Sequence, residues 1–131
     1  MKKLLIILLL ALGGLEVPAK VQRVQVYLIP WSLRMIAPWP AKTIRAHPFA
    51  RLEICDPAHA EAYINALEVA KMKESPKGSV KDLRLVIDAI QEDGSIVSYV
   101  SDGSVLLEES SGKSRPVDSA FRKRFATIFG E

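Results

Sequence analysis

Very few side chains in this sequence could carry out chemistry. There are two histidines, His47 and His59, and one cysteine, Cys55. Asp56 and His59 stand three apart, with Glu53 and Cys55 beside them, and these residue types can ligate a divalent metal. Their spacing argues against it. Asp56-Pro57 is a helix start, so the carboxylate points at its own backbone amides, and no second histidine lies four residues away on the same helix face. The expectation is a capping aspartate beside a solvent-facing histidine, with no metal site. Cys55 and His59 could pair as nucleophile and base, but the sequence offers no third, orienting group and no motif around the cysteine. Cys55 ends the alternating run Arg51-Leu52-Glu53-Ile54-Cys55 and is expected to be a buried thiol; an intermolecular bridge is the sharper alternative. No nucleophile-elbow serine, phosphate-cradling glycine loop or zinc-binding cysteine pair occurs. These absences point to a protein that is not an enzyme and uses no cofactor.

One stretch stands above this background. From Lys20 to Arg51 there are six cations (Lys20, Arg23, Arg34, Lys42, Arg45 and Arg51) and no Asp or Glu, with Tyr27, Trp31 and Trp39 between them. Such lopsided charge makes a positive patch. Tryptophan and arginine are also the side chains that most often anchor protein interfaces. Pro30, Pro38, Pro40 and Pro48 stiffen the segment, so anchors held there lose little entropy on binding. Trp31, Arg34, Trp39, Lys42 and Arg45 are therefore the expected partner-binding residues. The competing expectation is that both tryptophans fold back to plug the core while the cations are solvated. Contact with anionic lipid headgroups is a third use of the same residues, though without an amphipathic helix. The acidic residues after Asp82 (Asp88, Glu92, Asp93, Asp102, Glu108 and Glu109) are expected at or near turns, solvated and without a calcium site.

The elements that must position these residues can be read from periodicity. Val24, Val26 and Leu28 alternate as a half-buried strand that Pro30 ends. Pro30 to Pro48 reads as a long semi-rigid loop with at most a short strand at Thr43 to Ala46. A second strand, Ala50 to Cys55, runs into a helix from Pro57 to about Met72, with Ala60, Tyr63, Ile64, Leu67 and Ala70 as its apolar stripe. A polar connection, Glu74 to Lys81, follows. Leu83–Ile90, Ser95–Val100 and Ser104–Glu108 are strands separated by Asp93-Gly94 and Asp102-Gly103, which give an antiparallel meander. A short fourth strand at Pro116 to Asp118 precedes a helix capped by Asp118 or Ser119, with Phe121, Phe125, Ile128 and Phe129 on one stripe. The fold class is α+β: an antiparallel sheet with a C-terminal meander and two helices packed on it.

The first residues bound the compartment. Lys2 and Lys3 precede an apolar run from Leu4 to Leu12, closed by Gly13-Gly14, Glu16 and Pro18. That pattern predicts a cleavable secretory signal peptide over 1–19, cut after Ala19 or after Gly13. The run is short of the roughly 20 residues of a bilayer-spanning helix. Residues 20–131 are then one α+β domain with 16 basic and 14 acidic side chains, after Lys2, Lys3 and Glu16 are taken from the 18 and 15 of the whole chain. That near balance gives no reason to expect a nucleic-acid partner. The lone asparagine, Asn65, is followed by Ala66-Leu67 and offers no glycosylation site, which fits a bacterial periplasm at least as well as a eukaryotic secretory route; the expected location is periplasmic or secreted, with bacterial export favoured. By fold-level analogy, the expectation is a small exported binding or inhibitor protein of the immunity type whose partner is another exported or envelope protein. The alternative is an envelope-associated structural protein touching anionic lipid or cell-wall polymer peripherally. Oligomeric state is not legible.

Overall fold

The computed structural model describes residues 20–74, 80 and 82–129. The expected signal peptide and most of the 74–81 connection lie outside them. The elements run β1 (Val21–Leu28), α1 (Ala41–Ala46), β2 (Ala50–Ile54), α2 (Pro57–Ala66), a 3-10 turn (Val69–Lys71), β3 (Lys73–Glu74), β4 (Leu85–Gln91), β5 (Ile96–Ser101), β6 (Val105–Glu108), β7 (Lys113–Pro116), α3 (Ser119–Ala126) and a 3-10 turn (Thr127–Phe129). The class is α+β: seven strands form one antiparallel sheet in the order β2-β1-β4-β5-β6-β7-β3.

The pleat divides the strand residues between two cores. Val24, Val26 and Leu28 of β1 and Leu85, Ile87 and Ala89 of β4 turn to one face. There they meet Ala60 and Ile64 of α2, Leu67 just beyond it, and Phe121 and Phe125 of α3. Asp118 caps α3, its Oδ1 accepting from Phe121 N at 3.0 Å, and the two phenylalanine rings pack at 4.9 Å between centroids. On the opposite face Tyr27, Ile29, Val86 and Val100 form a second core around Ile44 of α1. Central strands covered on both sides read as continuous apolar runs, which is why Leu85-Val86-Ile87 shows no alternation.

The meander turns as expected, at Asp93-Gly94 and Asp102-Gly103, where both glycines have positive φ. Three expectations are corrected. The Pro30–Pro48 segment holds a helix, not a strand, at Thr43 to Ala46: the amides of Thr43 and Ile44 both donate to Pro40 O, and the turn so formed drops Ile44 into the second core. Helices therefore lie on both faces of the sheet, and among the described residues there are three of them. The helix expected to reach Met72 stops at Ala66. Arg115 Nε donates to Leu67 O at 2.9 Å, taking a carbonyl that a continuing helix would use, and Glu68 turns left-handed at φ 57°. Ala70 is consequently exposed. The last strand is Lys113–Pro116 and precedes the predicted span; its outer neighbour is β3.

Candidate functional site

The Pro30–Pro48 loop is built down onto the sheet at four points. Arg84, buried just before β4, donates through Nη1 to the carbonyls of Pro30 and Leu33, while its Nη2 meets Asp82 Oδ2 at 3.0 Å. Trp31 is half-buried, its Nε1 donating to Arg122 O at 2.9 Å and its ring standing edge-on to Phe125 at 6.4 Å. Gly103 leaves the room for it. At φ +94°, a side-chain carbon on Gly103 would come within 3.3 Å of Trp31 Cε3 and 3.2 Å of Arg122 Cδ. The third point is Ile44, fully buried. Around it the half-buried Leu33, Met35 and Trp39 pack on Tyr27, Val86 and Val100.

Arg45 is the fourth point. Its guanidinium forks onto Asp88, with Nε to Oδ2 at 2.9 Å and Nη2 to Oδ1 at 2.8 Å. Ser98 Oγ donates to the same Oδ1 at 2.7 Å, and Glu109 lies 3.6 Å from Nη2. Register explains the cluster. Asp88 is the Cα partner of both Gln25 and Ser98, so Gln25, Asp88 and Ser98 form a polar row across three strands, beside the apolar row Tyr27, Val86 and Val100. The fork holds Arg45 firmly protonated, chiefly through the hydrogen bond to Asp88 and against the cost of its own burial. The expectation that Asp88 sits in a solvated turn is corrected: it is buried in mid-strand because α1 lies over it. Among the described residues no buried side-chain nitrogen or oxygen lacks a partner.

The five residues expected to bind a partner therefore occupy three environments. Trp31 and Trp39 are half-buried against the two cores, and Arg45 is committed to Asp88. Arg34 and Lys42 are exposed, and neither pairs with a carboxylate among the described residues. Between them in sequence lies Ile36, the most exposed large apolar side chain described. Ile36 was not legible as a site residue, because nothing in its sequence neighbourhood, Met35 and Ala37, distinguishes an exposed isoleucine from a core one. Asp88 and Arg84 carried a usable signal, since a lone charge inside an apolar strand must find a partner.

The second cluster, around Cys55, differs from expectation. Cys55 is exposed, not buried, at the end of β2, which is the outermost strand of the sheet. Asp56 caps α2 as expected, its Oδ2 accepting from His59 N at 3.0 Å, and it also meets His59 Nδ1 at 2.5 Å. These bonds, the backbone one foremost, hold the Asp56 carboxyl below its usual range. Cys55, Asp56 and His59 border an open groove of about 600 Å³ whose floor is Leu52, Ile54 and Tyr63 and whose rim is Arg124. No group of three metal-ligating side chains is found among the described residues. No family model, curated protein or solved structure matches the chain.

Proposed function

We propose that the chain is a small exported, non-enzymatic binding protein, an inhibitor of the immunity type, that presents Arg34, Ile36 and Lys42, flanked by Trp39, to an acidic and apolar surface on another exported or envelope protein. The observation that carries this reading is a fully exposed isoleucine on the same loop as two exposed cations that meet no carboxylate among the described residues, a loop whose base is fixed by Arg84, Trp31 and Ile44. A loop already ordered forfeits little freedom on binding, and an exposed apolar side chain on a segment that also exposes cations suits a partner of complementary character. Export rests on the Lys2-Lys3 and Leu4–Leu12 pattern.

The test is capture from the native envelope extract with the purified protein as bait, compared with I36A and the double variant R34E/K42E. One co-purifying enzyme in stoichiometric amount, lost with either variant and inhibited in assay, supports the reading; a partner retained by both variants overturns it. The same exposed isoleucine between cations also favours the second reading, an envelope-associated protein contacting anionic lipid. Flotation with vesicles containing an anionic lipid separates the two, because lipid binding appears there and weakens with salt.

A further inference from the structure

β2 ends the sheet. One edge pairs with β1 from Val24 to Leu28, and the other carries no strand among the described residues. Unpaired edges are ordinarily guarded by repelling charge, by proline or by a covering element. The two charges on this one, Arg51 and Glu53, are of opposite sign, and neither a proline nor a further strand lies along it among the described residues. Its sequence, Ala50-Arg51-Leu52-Glu53-Ile54, is complementary to itself when reversed. Antiparallel pairing about Leu52 sets Arg51 opposite Glu53 of a second copy, and does so twice, as a two-fold axis requires. It also sets Leu52 opposite Leu52 and Ala50 opposite Ile54. The register holds whichever backbone groups of β2 point outward, since a two-fold can pass through a hydrogen-bonded or a non-hydrogen-bonded pair.

Side-chain placement fits the same arrangement. Arg51 and Glu53 lie opposite Tyr27 and Gln25, on the sheet face of α1, whereas Leu52 and Ile54 lie with Val26 and Val24 on the face of α2 and α3. The charges hold each other only loosely within one chain: Arg51 Nη2 is 4.0 Å from Glu53 Oε2, and Arg23 Nη1 is 3.9 Å from Glu53 Oε1. The Arg51 guanidinium lies 5.5 Å from the centre of the Tyr27 ring, which keeps it along the strand. Two apolar side chains at this edge are left to water. Leu52 is 37% exposed and Phe49, just before the strand, 57%. In the proposed register Phe49 stands opposite Cys55 of the second copy, a contact that favours an aromatic ring and a thiol.

We infer that the protein forms a two-fold dimer by antiparallel pairing of β2, making one continuous sheet across both copies with two Arg51–Glu53 pairs between chains. The two Cys55 thiols lie six strand positions apart in this dimer, roughly 20 Å. A disulfide needs Cα atoms within about 7 Å, so the association is independent of reductant. A five-residue edge is small against the ~1,200 Å² of standard interfaces, which makes the dimer reversible.

Sedimentation equilibrium of the purified protein tests this. The expected result is a mass rising from one chain to two between about 1 μM and 1 mM. R51E, with acid at both charged positions, and E53R, with base at both, each weaken self-association about tenfold or more, because opposed like charges replace two favourable pairs. An equimolar mixture of R51E and E53R recovers the dimer, as does the swap R51E/E53R, with unchanged circular dichroism throughout. The proposal is overturned by a wild-type protein monomeric to about 1 mM, by a dimer indifferent to the single reversals, by a mixture that stays monomeric, or by a dimer that reductant dissolves.

Discussion

Arg45 and Asp88, forty-three positions apart, are joined by a two-pronged ion pair that fastens α1 to the middle of β4. The Asp88 side chain is only 9% exposed and that of Arg45 33%, so the aspartate depends on the pair more than the arginine does. Removing the carboxylate leaves a guanidinium that can still turn to water. Asp88→Ala is expected to cost about 2 kcal/mol in urea unfolding, in the range for hydrogen bonds to charged groups and below the penalty of breaking a fully buried pair. Arg45→Lys keeps the charge but cannot fork, and is expected to cost about 1 kcal/mol.

Gly103 is required twice over, by its backbone angle and by the indole beside it. Gly103→Ala is expected to destabilise the protein by about 1–3 kcal/mol, since the backbone angle strains any side chain there and the contact relaxes only if Trp31 and Arg122 move. A lowered melting temperature together with a red shift in tryptophan emission is the expected signature. A red shift without destabilisation would mean that the indole packing contributes nothing to stability.

Ile44 fixes α1 and with it the exposed surface of the loop. Ile44→Ala should cost about 2–4 kcal/mol, the usual range for emptying a buried aliphatic site. Limited proteolysis should then cut first between Pro30 and Pro48, with the meander spared. Equal acceleration of cleavage everywhere would show that the loop layer and the sheet unfold as one unit.

Burial pushes the phenols of Tyr63 and Tyr99 up to about 12, against a modest opposing pull from Arg124 at Tyr63 and with added push from Glu108 at Tyr99. The fold holds both in the neutral form. Their contribution to stability is therefore complete below the ordinary phenol value of 10.0 and is lost as pH rises toward 12. Phenolate absorbance in an alkaline titration should show two late ionisations, one removed by Tyr63→Phe and the other by Tyr99→Phe. Each variant should also flatten the fall in stability above pH 10.

Local signals carried the local structure. Asp56-Pro57 set the start of α2, Asp118 the start of α3, and the two Asp-Gly pairs the hairpins, because caps and tight turns depend on residues a few positions apart. Strand order did not follow from such signals. That β2 lies outermost depends on β1 pairing with β4, and only this order makes Cys55 exposed and its neighbours a free edge. Asp88 was misread for the same reason: its partner arrives from a segment whose four prolines read as loop. The loop surface was half legible. Its charge pattern pointed to Arg34 and Lys42, but nothing in the spacing distinguished Arg45, which is occupied, from the cations that stay free.

The place of β1 in the sheet has a kinetic consequence. It is the first described strand, yet it lies inside the sheet, with Leu28 against Leu85 and Val24 against Ala89. Hairpins β4–β5 and β5–β6 can close on their own, whereas β1 must wait for a strand more than fifty residues downstream before either core is enclosed. Such distant pairing closes slowly. A chain emerging from its N-terminus can pair β1 with β2 early, but neither core is enclosed until β4 has arrived.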